Sequence, residues 1–298
     1  MKYISVAEAA KIWCVSERSV RNYCAEGRVH DALLIGKTWN IPENAEKPER
    51  LNKRDKMPKK LLEVLKAEKT AGVHGGIYHK IQIELTYNSN HIEGSCLTHD
   101  QTRYIFETNT IGITNGTVKV DDIVETANHF KCVDMVIDNA THILSESFIK
   151  QLHAVLKSGT SDSRLSWFAV GDYKKRPNEV GGIETTAPEN VSAELRRLLV
   201  HYNDIENKTL DDVLAFHYYF EKIHPFQDGN GRVGRLLLFK ECLRNNIVPF
   251  IINEDVKLYY YRGLKEWENE RGYLRDTCLF AQDKFKKYLD YFRIQYSD

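Results

Sequence analysis

The chain has 298 residues and no net formal charge, with 42 Lys and Arg against 42 Asp and Glu. Hydrophobic residues make up 42% and aromatics 11%, enough to bury a sizeable core and too much for a disordered chain. No apolar run approaches membrane length, no secretory signal opens the chain, and six scattered cysteines without a C-x-x-C pair argue against zinc and dithiol motifs, so a cytoplasmic protein with free thiols and no membrane partner is expected.

The length allows one large domain or two unequal ones. Residues 1–60 carry 13 basic and 8 acidic side chains, a bias that points to nucleic acid at this end only. Residues 1–45 read as a small unit. Ser5 and Glu8 form a capping box that opens a helix with Val6, Ala9, Ala10 and Trp13 on one face. After a tight connection at Cys14-Val15, Ser16 caps a second helix with Val20, Tyr23 and Cys24 apolar. Residues 32–41 then read as a hairpin turning at Gly36-Lys37. This order resembles the excisionase and MerR-like winged helix-turn-helix. The resemblance implies that Arg18, Arg21 and Asn22 lie on the exposed face of a recognition helix, that Lys37 tips the wing, and that DNA is bound by a homodimer.

Residues 46–60 are charged, hold two prolines and read as a linker, leaving 61–298 as the larger domain. Near residue 94 a helix with Ile81, Leu85, Asn88 and Ile92 in register ends at Gly94, where a C′ glycine belongs. Ser89 and Glu93 are i, i+4 neighbours on its polar side. Residues 95–165 look helical, and His153 reads as structural. Past Trp167, Val180, Gly181, Gly182 and Ile183 suggest a short extended hairpin.

The most informative stretch is His224–Arg235, H-P-F-Q-D-G-N-G-R-V-G-R. Val213, Phe216, Phe220 and Ile223 predict a helix before it, with Thr209 and Asp212 as a capping pair and Pro225 ending it. His217, seven residues ahead of His224, reads as a core or supporting residue. A glycine-flanked turn at Gly229-Asn230-Gly231 then feeds a second helix, whose N-terminus presents free N–H groups and a positive dipole to an anion. Arg232 and Arg235 share a face of that helix and suit a polyphosphate. Asp228 suits Mg²⁺, which binds through one or two carboxylates plus substrate phosphates. His224 is the natural general base. Gly229, Gly231 and Gly234 also spell G-x-G-x-x-G with Glu254 downstream, but a dinucleotide fingerprint requires a strand before it, and here a helix and His-Pro precede.

These twelve residues resemble the signature of the Fic family at every defined position. The resemblance implies a mainly α, all-helical Fic fold with a short β-hairpin flap, and transfer of AMP from ATP to a Tyr, Thr or Ser hydroxyl of a protein, the chain itself included. His224 would be the base, Asp228 would bind Mg²⁺, and Phe226, Gly229, Asn230, Gly231, Arg232 and Arg235 would hold ATP. Ser89, Glu93 and Gly94 resemble the family's inhibitory motif, placed ahead of the catalytic motif as in its second class; Glu93 would pair with Arg235 and obstruct the γ-phosphate. Val180–Ile183 would form the flap that docks a target by strand addition, and Tyr260 and Tyr261 would border the adenine. A family asparagine is expected near Glu268, with Asn269 next to it. Two alternatives stand beside transfer: removal of AMP from modified protein, and an ATP-sensing DNA-binding regulator.

Overall fold

The computed structural model describes residues 2–25, 28–36, 38–48, 60–113 and 116–296. Lys37 and linker residues 49–59 lie outside them. The chain divides into two compact units, residues 1–57 and 58–298.

In the first unit, strand β1 (Tyr3–Ser5) leads into helix α1 (Val6–Ile12) through a complete capping box. The Ser5 hydroxyl accepts from the Glu8 N–H at 3.2 Å, and the Glu8 carboxylate accepts from the Ser5 N–H at 2.8 Å. The turn at Cys14 has φ +51°, and Ser16 accepts the Ser19 N–H to start helix α2 (Glu17–Ala25). Strands β2 (Leu33–Ile35) and β3 (Thr38–Pro42) form the expected hairpin. Strand β1 adds to β3, giving an antiparallel sheet in the order β1-β3-β2. Three residues are too few to display alternation, so sequence periodicity gave no sign of β1. Val6, Ala9, Ala10, Trp13, Val20, Cys24 and Ile41 close the small core.

The second unit begins with α3 (Leu61–Ala71), α4 (Ile77–Ile92), α5 (His99–Thr108), α6 (Val120–Asp138) and α7 (Glu146–Lys157). A two-residue hairpin, β4 (Glu179–Val180) and β5 (Ile183–Glu184), precedes α8 (Pro188–Asp204), α9 (Leu210–Ile223), α10 (Asn230–Arg244), α11 (Glu254–Lys265) and α12 (Gly272–Phe292). Helix α10 is buried on every side from Val233 to Leu243, the mark of a central helix, and it packs against α9, α6 and α4. Two apolar cores meet around it. One joins α3, α4, α6, α7, α8 and α9; the other gathers Ile92, Leu238, Phe250, Tyr260 and Leu274 around the end of α4. Among the described residues no helix is long and apolar enough to cross a membrane. The described cysteines are all free.

Candidate active site

Helix α9 starts with the capping box of Thr209 and Asp212 and ends at His224, whose φ of +50° turns the chain sharply before Pro225. A non-glycine residue in this region carries strain of about 1–3 kcal/mol that the surroundings must hold. The surroundings are well made. Asn230 closes the loop on itself: its Oδ1 accepts the Phe226 N–H and its Nδ2 donates to the Phe226 carbonyl, both at 2.8 Å. The Phe226 ring is fully buried and stacks face to face on His153 of α7, centroids 3.9 Å apart. His153 Nε2 donates to the Asp228 carbonyl at 3.1 Å while its Nδ1 accepts the Gly171 N–H at 2.9 Å. Burial keeps that ring neutral, with its pKa lowered to about 4. Gly229, φ +82°, then opens α10 as the sequence predicts.

The chemistry of His224 follows from one contact. Its Nδ1 lies 3.3 Å from the Glu221 carbonyl, which can only accept, so Nδ1 carries the proton and Nε2 is left bare. Burial pushes its pKa down to about 4, so the ring stays neutral across the physiological range. A neutral imidazole with a bare Nε2 is the form a general base needs.

Asp228 stands at the rim with its side chain 47% exposed. Its Oδ2 accepts from Lys157 Nζ at 2.6 Å and Arg232 Nη2 at 3.2 Å. Burial alone would raise the carboxyl, but Arg232 and Lys157 outweigh it and hold the pKa at about 2. Glu125 of α6 completes the cluster, accepting from Lys157 at 2.5 Å and pairing with Arg232. Among the described residues no group of three His, Cys, Asp or Glu could hold a metal by itself. One permanently ionised, half-exposed carboxylate does fit Mg²⁺, whose remaining ligands would be phosphate oxygens and water.

Arg235 points the other way, toward α4. Its Nε donates to Ser89 Oγ at 3.1 Å, and its Nη2 donates to the Ser89 carbonyl at 2.9 Å and to Glu93 Oε1 at 2.7 Å. Glu93 is the C-cap of α4, and Gly94, φ +92°, turns the chain away behind it. Gly231 makes this closure possible: a Cβ there would collide with the Glu93 carboxylate and crowd Arg235. Behind lie His217, whose Nε2 is 2.7 Å from the Tyr260 hydroxyl, and Glu221, its side chain 15% exposed and its carboxyl raised to about 8 by desolvation.

Two of the residues expected to hold ATP lie in the interior. The rings of Phe226 and Tyr260 have interior partners and exposures of 0% and 1%, so they brace the loop and the His217 side of the site from beneath. Tyr261 is 40% exposed. Glu268 accepts from Tyr218 and Lys222, both at 3.0 Å, which occupies it at the surface. Strands β4 and β5 pair Val180 with Ile183 across Gly181 and Gly182, at φ +59° and +78°, the left-handed pair that a two-residue hairpin turn demands. Glu254 begins a helix at the surface, and helix α9, not a strand, leads into the glycines, so no dinucleotide fingerprint is present. In the first unit Arg18, Arg21 and Asn22 are exposed on α2, with Arg21 paired to Glu17 at 2.7 Å.

Sequence reasoning missed Glu125, Lys157 and Glu221. Lys157 follows His153 by four residues and so shares its helix face, a signal available in retrospect. Glu125 and Glu221 carry none, because nothing local marks a carboxylate that a distant helix will bury.

Residues 143–241 match the family model described as Fic/DOC family. Over 221 residues the chain is 29% identical to the protein adenylyltransferase Fic of Drosophila mojavensis, covering 71% of this chain and 41% of that protein. The Drosophila melanogaster protein of the same name gives the same identity, with 42% of its length covered. The chain thus spans about two fifths of the curated relatives it matches. A Fic-domain-containing signaling protein from Bacteroides thetaiotaomicron superposes with a TM-score of 0.60 at 24% identity, covering 77% of this chain and 94% of that one. Fic-1 from C. elegans gives 0.59 at 20%, covering 77% and 69%. The chain has the helical fold of Fic proteins, and its His224–Arg235 loop lies inside the segment similar to the Fic/DOC family.

Proposed function

We propose that the chain is a protein adenylyltransferase that transfers AMP from ATP to a Tyr, Thr or Ser hydroxyl and is held off by its own Glu93. The observation that carries the reading is His224, a neutral imidazole with Nδ1–H fixed and Nε2 bare, beside the open N-terminus of α10. The acceptor oxygen bonds to the α-phosphorus as the bond to the β-phosphate oxygen breaks. The hydroxyl proton passes to His224 Nε2, and pyrophosphate leaves. The N–H groups at Gly229–Gly231 and the Arg232 and Arg235 guanidiniums bind the phosphates and stabilise the charge that develops. Asp228 would hold Mg²⁺, which when bound neutralises phosphate charge. Tyr261 flanks the base, and the Val180–Ile183 hairpin docks the target by strand addition. The relatives' names support this reading of the loop.

Glu93 on Arg235 supports self-inhibition, because one guanidinium cannot serve that carboxylate and the γ-phosphate together. The exposed Arg18, Arg21 and Asn22 support DNA binding by residues 1–45 as a winged helix-turn-helix, with a homodimer reading a two-fold site; Lys37 would tip the wing. The test of transfer is His224→Ala in a Glu93→Gly chain. Labelling of protein from α-labelled ATP falls about 10²–10⁴-fold while ATP affinity is kept, since other residues make the phosphate contacts. Undiminished labelling removes His224 as the base. If the main effect of changing Glu93 is instead loss of AMP removal from modified protein, hydrolysis is the activity.

A further inference from the structure

Lys174 is a buried cation with no anionic partner among the described residues. It is 3% exposed, and Nζ donates to three neutral oxygens: Thr185 Oγ1 at 2.5 Å, Asn178 Oδ1 at 2.7 Å and the Ile223 carbonyl at 3.4 Å. Three N–H bonds meet three acceptors, so no donor remains for a phosphate. A desolvated ammonium with no counter-charge is an expensive way to fill a core. Burial draws its pKa down to about 8. Its presence therefore calls for a reason other than stability.

The partners supply one. Asn178 immediately precedes β4, and Thr185 immediately follows β5, so the ammonium ties both roots of the hairpin together. Thr185 also closes on Asn178 through backbone, its N–H donating to the Asn178 carbonyl at 3.2 Å. Lys174 and Asn178 also reach the catalytic loop on both sides of His224. Lys174 holds the Ile223 carbonyl with Nζ and the Pro225 carbonyl with its own N–H, the latter at 2.9 Å. Asn178 Nδ2 donates to the Phe226 carbonyl at 3.0 Å, and the Arg176 N–H donates to Gln227 Oε1 at 3.3 Å.

We propose that Lys174 and Asn178 are positioning residues that staple the flap hairpin to the catalytic loop, so that a target strand added to the hairpin arrives in one register against His224. This deepens the transfer reading and rests on it. Register is the quantity at stake. A slip of one residue moves a docked strand by about 3.3 Å and turns its side chain to the other face, whereas proton transfer needs the hydroxyl within about 3 Å of Nε2. Direct hydrogen bonds between the hairpin roots and residues 223–227 remove that freedom. Among the described residues the hairpin is a sheet of two strands, so each strand keeps an edge for addition.

The experiment separates protein from water as acceptor. Water attacking the α-phosphorus gives AMP and pyrophosphate, with its proton going to His224, and needs no docked strand. Full-length Glu93→Gly is the background, with α-labelled ATP, and both labelled protein and released AMP are counted. Lys174→Met and Asn178→Ala each lower protein labelling at least about tenfold relative to AMP release, with ATP affinity unchanged. Asn178→Ala breaks the staple from the half-buried flap side and leaves the lysine in place, so it reports even where Lys174→Met fails to fold. Parallel loss of both products, or no change in their ratio, overturns the proposal. If Glu93→Gly itself forms neither product, the transfer reading falls and the staple falls with it.

Discussion

Replacing Glu93 by glycine tests the geometry around Arg235 most directly. The carboxylate lies 2.7 Å from Nη2, with Arg235 5% exposed and Glu93 30% exposed. Breaking a fully buried pair costs about 3–5 kcal/mol, and an exposed pair is worth about 0–1. Glu93 falls between these limits, and Arg235 keeps both bonds to Ser89, so the chain should lose about 1–2 kcal/mol of stability. Glycine adds only an entropic cost, because Glu93 has φ −85° and no strain to relieve. The catalytic gain is larger than that loss matters. If the γ-phosphate no longer competes for a contact worth about 1.5–3 kcal/mol, transfer rises roughly 10–100-fold, at about 1.4 kcal/mol per decade. Glu93→Gln, which keeps the shape and loses the charge, should fall between wild type and Glu93→Gly. Arg235→Ala should abolish transfer in either background. The assay is incorporation from α-labelled ATP into the chain and into lysate proteins at equal enzyme concentration. A Glu93→Gly chain no more active than wild type on either acceptor would falsify the inhibitory role.

Acid should destabilise the larger unit steeply. His129, His153 and His217 are buried and His224 is partly buried, with pKa values lowered to about 3 or 4, chiefly by desolvation, against about 6.5 unfolded. The unfolded chain therefore binds more protons on these four rings between these values, so their contribution to stability is full above about pH 6.5 and falls as pH drops toward 4; Glu221, raised to about 8, works in the opposite sense and leaves a net loss of up to about 4 kcal/mol per pH unit if all four titrate together. Urea midpoints at pH 7, 6 and 5 measure this; equal midpoints refute it. For the same reason the acid limb of the transfer rate in Glu93→Gly should lie near pH 4, and a limb at pH 6.5 would show that His224 is solvated in the working enzyme. In the first unit, Arg18→Ala with Arg21→Ala should weaken DNA binding and flatten its steep salt dependence by about two phosphate contacts. A gel-shift titration on the protein's own promoter in which wild type and double mutant coincide counts against a DNA reader.

Much was legible locally. The capping boxes at Ser5 and Thr209, the break at Pro225, the Gly181-Gly182 turn and the Gly229 start of α10 are set by residues within a few positions of one another, so short-range sterics and hydrogen bonding suffice to place them. The loop from His224 to Arg235 could be read as an anion site for the same reason. Strand β1 could not be read, because only the distant β3 makes three extended residues a strand. Nor does local spacing show in which direction Arg232 reaches; for Arg235, only the resemblance to the inhibitory motif paired it with Glu93. Three residues of separation put Arg232 and Arg235 on one face, yet α6 and α7 draw the first to Glu125 and Asp228, while α4 draws the second to Ser89 and Glu93. The sequence by itself determined which groups could bind phosphate and take a proton, because that chemistry belongs to the residue types. Only the tertiary structure decided that Arg232 and Lys157 together hold the Asp228 carboxyl low, and that His224 is neutral with Nε2 bare, because burial and charges far apart in sequence set pKa values and hydrogen-bond partners.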